Sequence, residues 1–179
     1  NLSAYIQDSW KVGKGFTLNA GLRWEQQDVR DRFGETAFKI DDNWSPRVGF
    51  IWDVKNNGKS KLYANYGRFY ESVPQDINIR AFGGEVVCFC NNFSSSASDT
   101  RPDPRAPVSR LLGGAEPVDP SLKGQYIDEY IAGFEYEVAP NFVLGVKGTH
   151  RNLGRVIEDF LVISEGTYFI ANPGEGTFG

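Results

Sequence analysis

The sequence predicts an all-β fold: an antiparallel up-and-down meander of about six strands that forms part of a large transmembrane β-barrel. Three observations carry this expectation. Apolar and polar residues alternate along several segments, as they do on a strand whose successive side chains point to opposite faces. Short turns alternate with longer connections, the asymmetry found where one rim of a barrel is small and the other elaborate. Aromatic residues make up 14% of the chain and glycines number 20, yet mean hydropathy is −0.40, a combination foreign to an ordinary soluble helical domain.

Each element follows in order. Leu2 to Val12 is a mixed strand with Trp10 near its end, and Gly13-Lys14-Gly15 closes it with a tight turn. Phe16, Leu18, Ala20, Leu22 and Trp24 then share an apolar face opposite Thr17, Asn19, Gly21, Arg23 and Glu25. Arg30 to Asn43 reads as a longer connection. Trp44, Pro46, Val48, Phe50, Trp52 and Val54 form the next apolar face; Ser45, Arg47, Gly49 and Asp53 lie opposite, with Ile51 as the apolar exception. Asn56-Asn57-Gly58-Lys59 is a second tight turn. Lys61 to Glu71 carries Tyr63, Tyr66, Phe69 and Tyr70, and the stretch 72–124, rich in Ser, Pro, Asp and Gly, is a long loop. In Gln125 to Val138, Tyr126, Tyr130, Ala132, Phe134, Tyr136 and Val138 share a face interrupted by Asp128, and Glu129, Gly133, Glu135 and Glu137 occupy the other. Pro140-Asn141 turns the chain into a strand from Phe142, in which Leu144 and Val146 oppose Gly145, Lys147 and Thr149. A seventh strand is expected to begin near Tyr168.

These segments have the ~9–11 residues or more that a tilted strand needs to cross a bilayer. Trp10, Trp24, Trp44, Trp52 and Tyr126 lie near strand ends and are expected to form the aromatic girdles. Arg23, Glu25, Arg47, Asp53, Arg68, Glu135 and Lys147 are expected to face the lumen, either as solvated charge kept off the lipid side or as a ladder touching a plug or a substrate path. Periodicity alone fits a soluble β-sandwich binding module equally well; loop asymmetry, aromatic content and the Gly- and Arg-studded polar face favour the membrane.

Composition and motifs exclude other chemistry. The formal charge of −4 and pI of about 5.1 argue against a nucleic-acid partner, which requires a basic face. No apolar run approaches the ~18 residues of a spanning helix. Met is absent and no leader pattern is present, so the residues are expected to be an internal piece of a longer chain. Cys88 and Cys90 read as two loop thiols, or as a bridge in an oxidising compartment; with the distant His150 they cannot supply four ligands for zinc. Gly174, Gly176 and Gly179 match a dinucleotide fingerprint in spacing alone, because Pro173 precedes them and no helix follows. His150 has no nucleophile elbow to serve. Glu135 and Glu137 lie ~7 Å apart on a strand, a spacing too common to mark a glycosidase. Asp41-Asp42-Asn43 and Asp99 to Asp103 lack EF-hand spacing. Asn92-Phe93-Ser94 matches a glycosylation sequon. No catalytic residue, cofactor or metal is expected.

Several segments, in order and spacing, resemble the barrel of TonB-dependent outer-membrane receptors, and most of all the Oar-like branch with a carboxypeptidase-regulatory-like amino-terminal domain. They are Tyr5-Ile6-Gln7-Asp8-Ser9-Trp10, Leu18-Asn19-Ala20-Gly21-Leu22-Arg23-Trp24-Glu25, Trp44-Ser45-Pro46-Arg47-Val48-Gly49-Phe50 and Tyr66-Gly67-Arg68-Phe69-Tyr70, with a looser match from Gln125 to Leu161. The resemblance implies a barrel of about 22 strands closed by a plug, ligand capture at the outer face and import driven by TonB pulling on a box near the plug. Plug and TonB box are not recognisable in these residues. The expectation is therefore a partial barrel over residues 1–179, with 72–124 as its long extracellular loop and best candidate for ligand contact. Its partners would be the remaining strands and plug of the parent chain, TonB through that plug, and membrane lipid. Its open strand edges leave one structural alternative, a released fragment that polymerises with copies of itself outside the cell.

Overall fold

The computed structural model describes residues 1–31, 33–74, 77, 86–89, 109–112, 117–162 and 167–177. Its main sheet has six strands: β1 (Leu2–Lys11), β2 (Phe16–Arg30), β3 (Thr36–Trp52), β4 (Ser60–Tyr70), β7 (Tyr126–Ala139) and β8 (Phe142–Arg155). They pair antiparallel in the order β1-β2-β3-β4-β7-β8, an up-and-down meander. Two hairpins lie outside it: β5 (Val86–Phe89) with β6 (Ser109–Leu112), and β9 (Glu158–Val162) with β10 (Thr167–Ala171).

Register turns the alternating pattern into two continuous faces. Trp10 pairs with Leu18, Leu18 with Phe50, Phe50 with Ala64, Ala64 with Ala132 and Ala132 with Gly148. The rows on either side, Phe16-Trp52-Leu62-Phe134-Val146 and Ala20-Val48-Tyr66-Tyr130-His150, keep the same parity. A slip of one residue anywhere would carry a whole strand's apolar set to the other side. The opposite face carries Asn19, Gly49, Asn65, Ile131 and Thr149 in one row and Gly21, Arg47, Gly67, Glu129 and Arg151 in the next. No second layer covers the apolar face among the described residues: Ile6, Val48, Tyr130 and Val146 are all exposed, Val146 by 70%. A β-sandwich would bury these side chains in its centre.

Backbone geometry fixes the turns at one rim. The Val12 N–H donates to the Phe16 carbonyl at 2.9 Å, and Gly15, at φ +73°, lies so close to the Asp53 carbonyl that a Cβ there would sit 2.6 Å from it. Two expectations are corrected at the other rim. Arg30 to Asn43 is not a loose connection, because β2 and β3 run on as a paired hairpin that turns only at Asp31–Glu35. A bulge in β3, where Asp41 and Asp42 stand opposite Gln26, lets the ladder continue, and the extension is held by a small core of Ile40, Val73, Ile77, Ile157 and Ile170. The strand at Tyr168 exists but is no seventh member of the sheet. It pairs with β9, and Ile170 is drawn into the same small core.

Candidate functional site

The polar face forms a wall rather than a catalytic cluster. A groove of about 580 Å³ runs along it, lined by Gln7, Asn19, Arg47, Asn65, Phe69 and Glu129 among others. Glycines supply the depth. Tyr63 lies across Gly133, where an added Cβ would be 2.5 Å from the ring, and Asn65 lies across Gly49 in the same way. Charges on this wall are cross-linked. Arg23 reaches Glu25 at 2.9 Å and Ser3 at 3.1 Å, Lys61 reaches Glu135 at 3.3 Å, Arg151 reaches Glu129 at 2.5 Å, and the Arg47 guanidinium sits 4.7 Å from the centre of the Phe69 ring. The wall can hold a hydrated, mixed-charge surface against it. These three pairs commit their charges to one another.

Above the groove the chain folds back over the polar face. The Gln27 carboxamide donates to the Glu71 carbonyl at 2.9 Å and accepts the Val73 N–H at 2.9 Å, so the chain leaving β4 is drawn across β2. Asn172, 3% exposed, accepts the Lys123 N–H at 2.7 Å and donates to the carbonyls of Lys123 at 3.0 Å and Val156 at 2.7 Å. Asp119 is buried and accepts from Ser121 and from the Thr177 N–H at 2.8 Å. Gln125 donates to Glu71 at 2.6 Å and accepts the Ile157 N–H at 3.0 Å. Three separate connections are thereby tied into one platform at the end of the groove. Asn43 and Ser45 lie buried on β3 next to it, Asn43 against Gly124, and their side-chain polar atoms have no hydrogen-bond partner among the described residues.

The residues singled out by sequence fall as follows. Trp10 and Trp52 lie on the apolar face beside the short turns; Trp24, Trp44 and Tyr126 lie on the same face toward the long connections. Trp24 and Trp44 are direct partners, and the Trp24 indole N–H donates to the Asp41 carbonyl at 2.6 Å. The stretch from Trp44 to Trp52 is about 27 Å along the strand, or about 20 Å of depth once tilted. Arg23, Glu25, Arg47, Glu135 and Lys147 share the polar face. Asp53 takes a different place. The strand stops at Trp52, the Asp53 N–H donates to the Gly15 carbonyl, and its carboxylate accepts the Gly58 N–H at 2.6 Å and the Ser60 hydroxyl at 2.8 Å. These bonds, the Gly58 amide first, hold its carboxyl below the usual range. Cys88 lies in β5, whose side chains, like Cys90, fall outside the described residues. His150 stands beside Tyr130 on the apolar face, ring centres 6.2 Å apart. Asp128, the interruption in the apolar pattern, is bridged at 2.9 Å by two nitrogens of Arg68 and at 3.0 Å by the Tyr66 hydroxyl, with the Arg68 guanidinium 3.9 Å from the centre of the Tyr126 ring. Arg68 is therefore not on the polar face as expected, because the register gives it the parity of Ala64 and Tyr66, and sequence reasoning missed this cluster and the Gln27, Asn172 and Asp119 clasps. The register that pairs Arg68 with Asp128 was the signal for the first; the clasps join residues about 50 positions apart and leave no local trace.

Comparison with known proteins gives concordant results. A family model described as "TonB dependent receptor-like, beta-barrel" matches residues 1–175. The TonB-dependent transporter Oar of Myxococcus xanthus is 33% identical over 207 aligned positions, covering 99% of this chain and 20% of that protein. The crystal structure of the siderophore receptor PirA from Pseudomonas aeruginosa superposes with a TM-score of 0.53 at 13% identity, covering 97% of this chain and 28% of that one; it speaks to fold alone. The chain thus spans 20% of the length of its curated relative.

Proposed function

This chain belongs to the TonB-dependent receptor family through its β-barrel, and from that premise we propose that it forms one sector of the wall of an outer-membrane receptor that captures a ligand outside and takes it up with energy relayed by TonB. The family is one of outer-membrane transport receptors, which bind and move ligands rather than catalyse reactions. The observation that carries the reading is the segregation of faces across six strands in register. The apolar face meets lipid, with Trp10 and Trp52 at one interface and Trp24, Trp44 and Tyr126 at the other. The polar face, with Arg23, Glu25, Arg47, Glu135 and Lys147, lines the lumen and packs on the plug of the parent chain. The edges β1 and β8 join further strands, because each unpaired N–H or C=O in hydrocarbon costs several kcal/mol. The short turns face the periplasm. The long connections face outside, where residues 72–124, mounted on the Gln27 and Asn172 platform, meet the ligand.

Topology tests this directly. In the full-length receptor on intact cells, an epitope inserted between Asn92 and Phe93 should bind antibody, and one inserted between Asn56 and Asn57 should bind only after the outer membrane is opened. The reverse pattern would overturn the orientation. Loss of the receptor and loss of TonB should produce one and the same uptake defect, with no further loss when both are removed.

A further inference from the structure

Register singles out one cation on the polar wall. Arg23, Lys61 and Arg151 each have a carboxylate partner there, whereas Lys11, Arg47 and Lys147 have none among the described residues. Lys11 and Lys147 stand on β1 and β8, the edges of the sheet, where further strands of a barrel can supply an acid. Arg47 stands on β3 with both neighbouring strands in place, so its surroundings within the wall are complete. Directly opposite it are Gly21 on β2 and Gly67 on β4. Ser45 and Gly49 flank it along its own strand, and the next positions on the polar face of β2 and β4 are Asn19, Arg23, Asn65 and Phe69. None of these is an acid. Glu129, two strands away in the same row, is held by Arg151, and Glu25 is held by Arg23. A Cβ at Gly67 would lie 2.9 Å from the Phe69 ring, so glycine there lets that ring lean across β4 toward Arg47. The guanidinium lies 4.7 Å from the ring centre, a contact that steadies it and leaves its charge uncompensated. Arg47 is exposed and opens into the groove of about 580 Å³, with Gln7, Ser9, Asn19 and Asn65 around it.

We propose that Arg47 is the point at which this wall grips the plug of the parent chain, by receiving a carboxylate of a plug segment that lies in the groove. A charge shut away from water needs a partner of opposite sign, and at Arg47 that partner can come only from the lumen side. The planar fork of a guanidinium holds a carboxylate through two parallel hydrogen bonds, which fixes direction as well as charge. The carboxamides of Gln7, Asn19 and Asn65 and the Ser9 hydroxyl can donate to and accept from the backbone of the same segment. Gly21, Gly49 and Gly67 keep the floor low enough for a chain to lie close to the strands. The plug is the occupant because Arg47 stands between Trp44 and Trp52, within the stretch that crosses the bilayer, whereas a captured ligand first meets the mouth.

The contact rests on the barrel reading above, and the test separates the two. In the full-length receptor in bilayers, p-benzoylphenylalanine replaces Arg47 in one sample and Val48, its neighbour on the opposite face, in another. On illumination the probe at 47 should attach to a plug peptide that contains Asp or Glu, and the probe at 48 should attach to lipid. Arg47→Glu should then raise the rate at which added protease cuts the plug of the purified receptor by about tenfold or more, with Arg47→Gln in between. Changing the acid of the cross-linked peptide to Lys should reverse most of the effect of Arg47→Glu while harming the unaltered receptor. Folding is read on the same samples by heat-modifiable migration. In a receptor that migrates as folded, attachment at 47 to another barrel segment, or to no peptide, overturns the contact. So does a plug peptide none of whose acids restores Arg47→Glu when reversed. Attachment at 47 to an added ligand in place of the plug overturns it as well, and assigns the groove to the substrate path. Attachment of the probe at 48 to the plug, with the probe at 47 meeting lipid, would overturn the barrel reading beneath it, because the two faces would be exchanged.

Discussion

At the scale of single residues, the wall depends on what certain positions leave out. Gly133 leaves room for the Tyr63 ring, which also lies 4.9 Å beneath the Lys61 ammonium. Gly133→Val should lower stability by about 1–3 kcal/mol, seen as a lower temperature at which the full-length receptor loses its heat-resistant band. Combining it with Tyr63→Ala should recover part of that loss. Asp53 is a second point of leverage. Its folded-state carboxyl is held below the ordinary value of 3.8 by the Gly58 amide and the Ser60 hydroxyl, so its contribution is present above pH 4 and is lost as pH falls through the lowered value. Amide exchange at Gly58 should accelerate between pH 4 and pH 2 beyond the intrinsic trend, and Asp53→Asn should abolish that extra dependence. The sequence pattern assigned Asp53 to the wall by parity. Parity is meaningful only while the strand lasts, and the Gly15 carbonyl ends it one residue earlier.

At the scale of elements, β4 and β7 are joined on their apolar face by the Arg68–Asp128 pair, shielded by Tyr126 and met by the Tyr66 hydroxyl. A charge on a lipid-facing strand is tolerated near the interface and when paired. Asp128→Ala leaves Arg68 alone there and should cost about 2 kcal/mol, whereas Arg68→Leu with Asp128→Leu should recover most of it. The mouth platform makes a separate prediction. Asn172→Ala frees the Lys123 N–H and two carbonyls at once, and hydrogen exchange at Lys123 should rise while β3 and β4 remain protected. Of the main sheet, β2, β3 and β7 were the most legible in the sequence because each alternates over about ten residues or more. The β2–β3 extension was not, since Ala37, Phe38 and Ile40 answer to a small core assembled from distant connections rather than to the band.

At the scale of the whole molecule, face segregation was readable from sequence, and register joins the strands into one surface. The platform, which links residues 27, 73, 123 and 172, could not be read, because its bonds span gaps that no short-range pattern records. The central claim is that one face of this sheet meets lipid and the other meets the hydrated interior. Nitroxide labels on β8 of the full-length receptor in bilayers, with Cys88 and Cys90 changed to Ser, test it most directly. Labels at Leu144, Val146 and Gly148 should be accessible to oxygen and shielded from a polar nickel reagent, and labels at Lys147 and Thr149 should show low oxygen accessibility. Equal accessibility along the strand, or alternation with the opposite phase, would contradict the account.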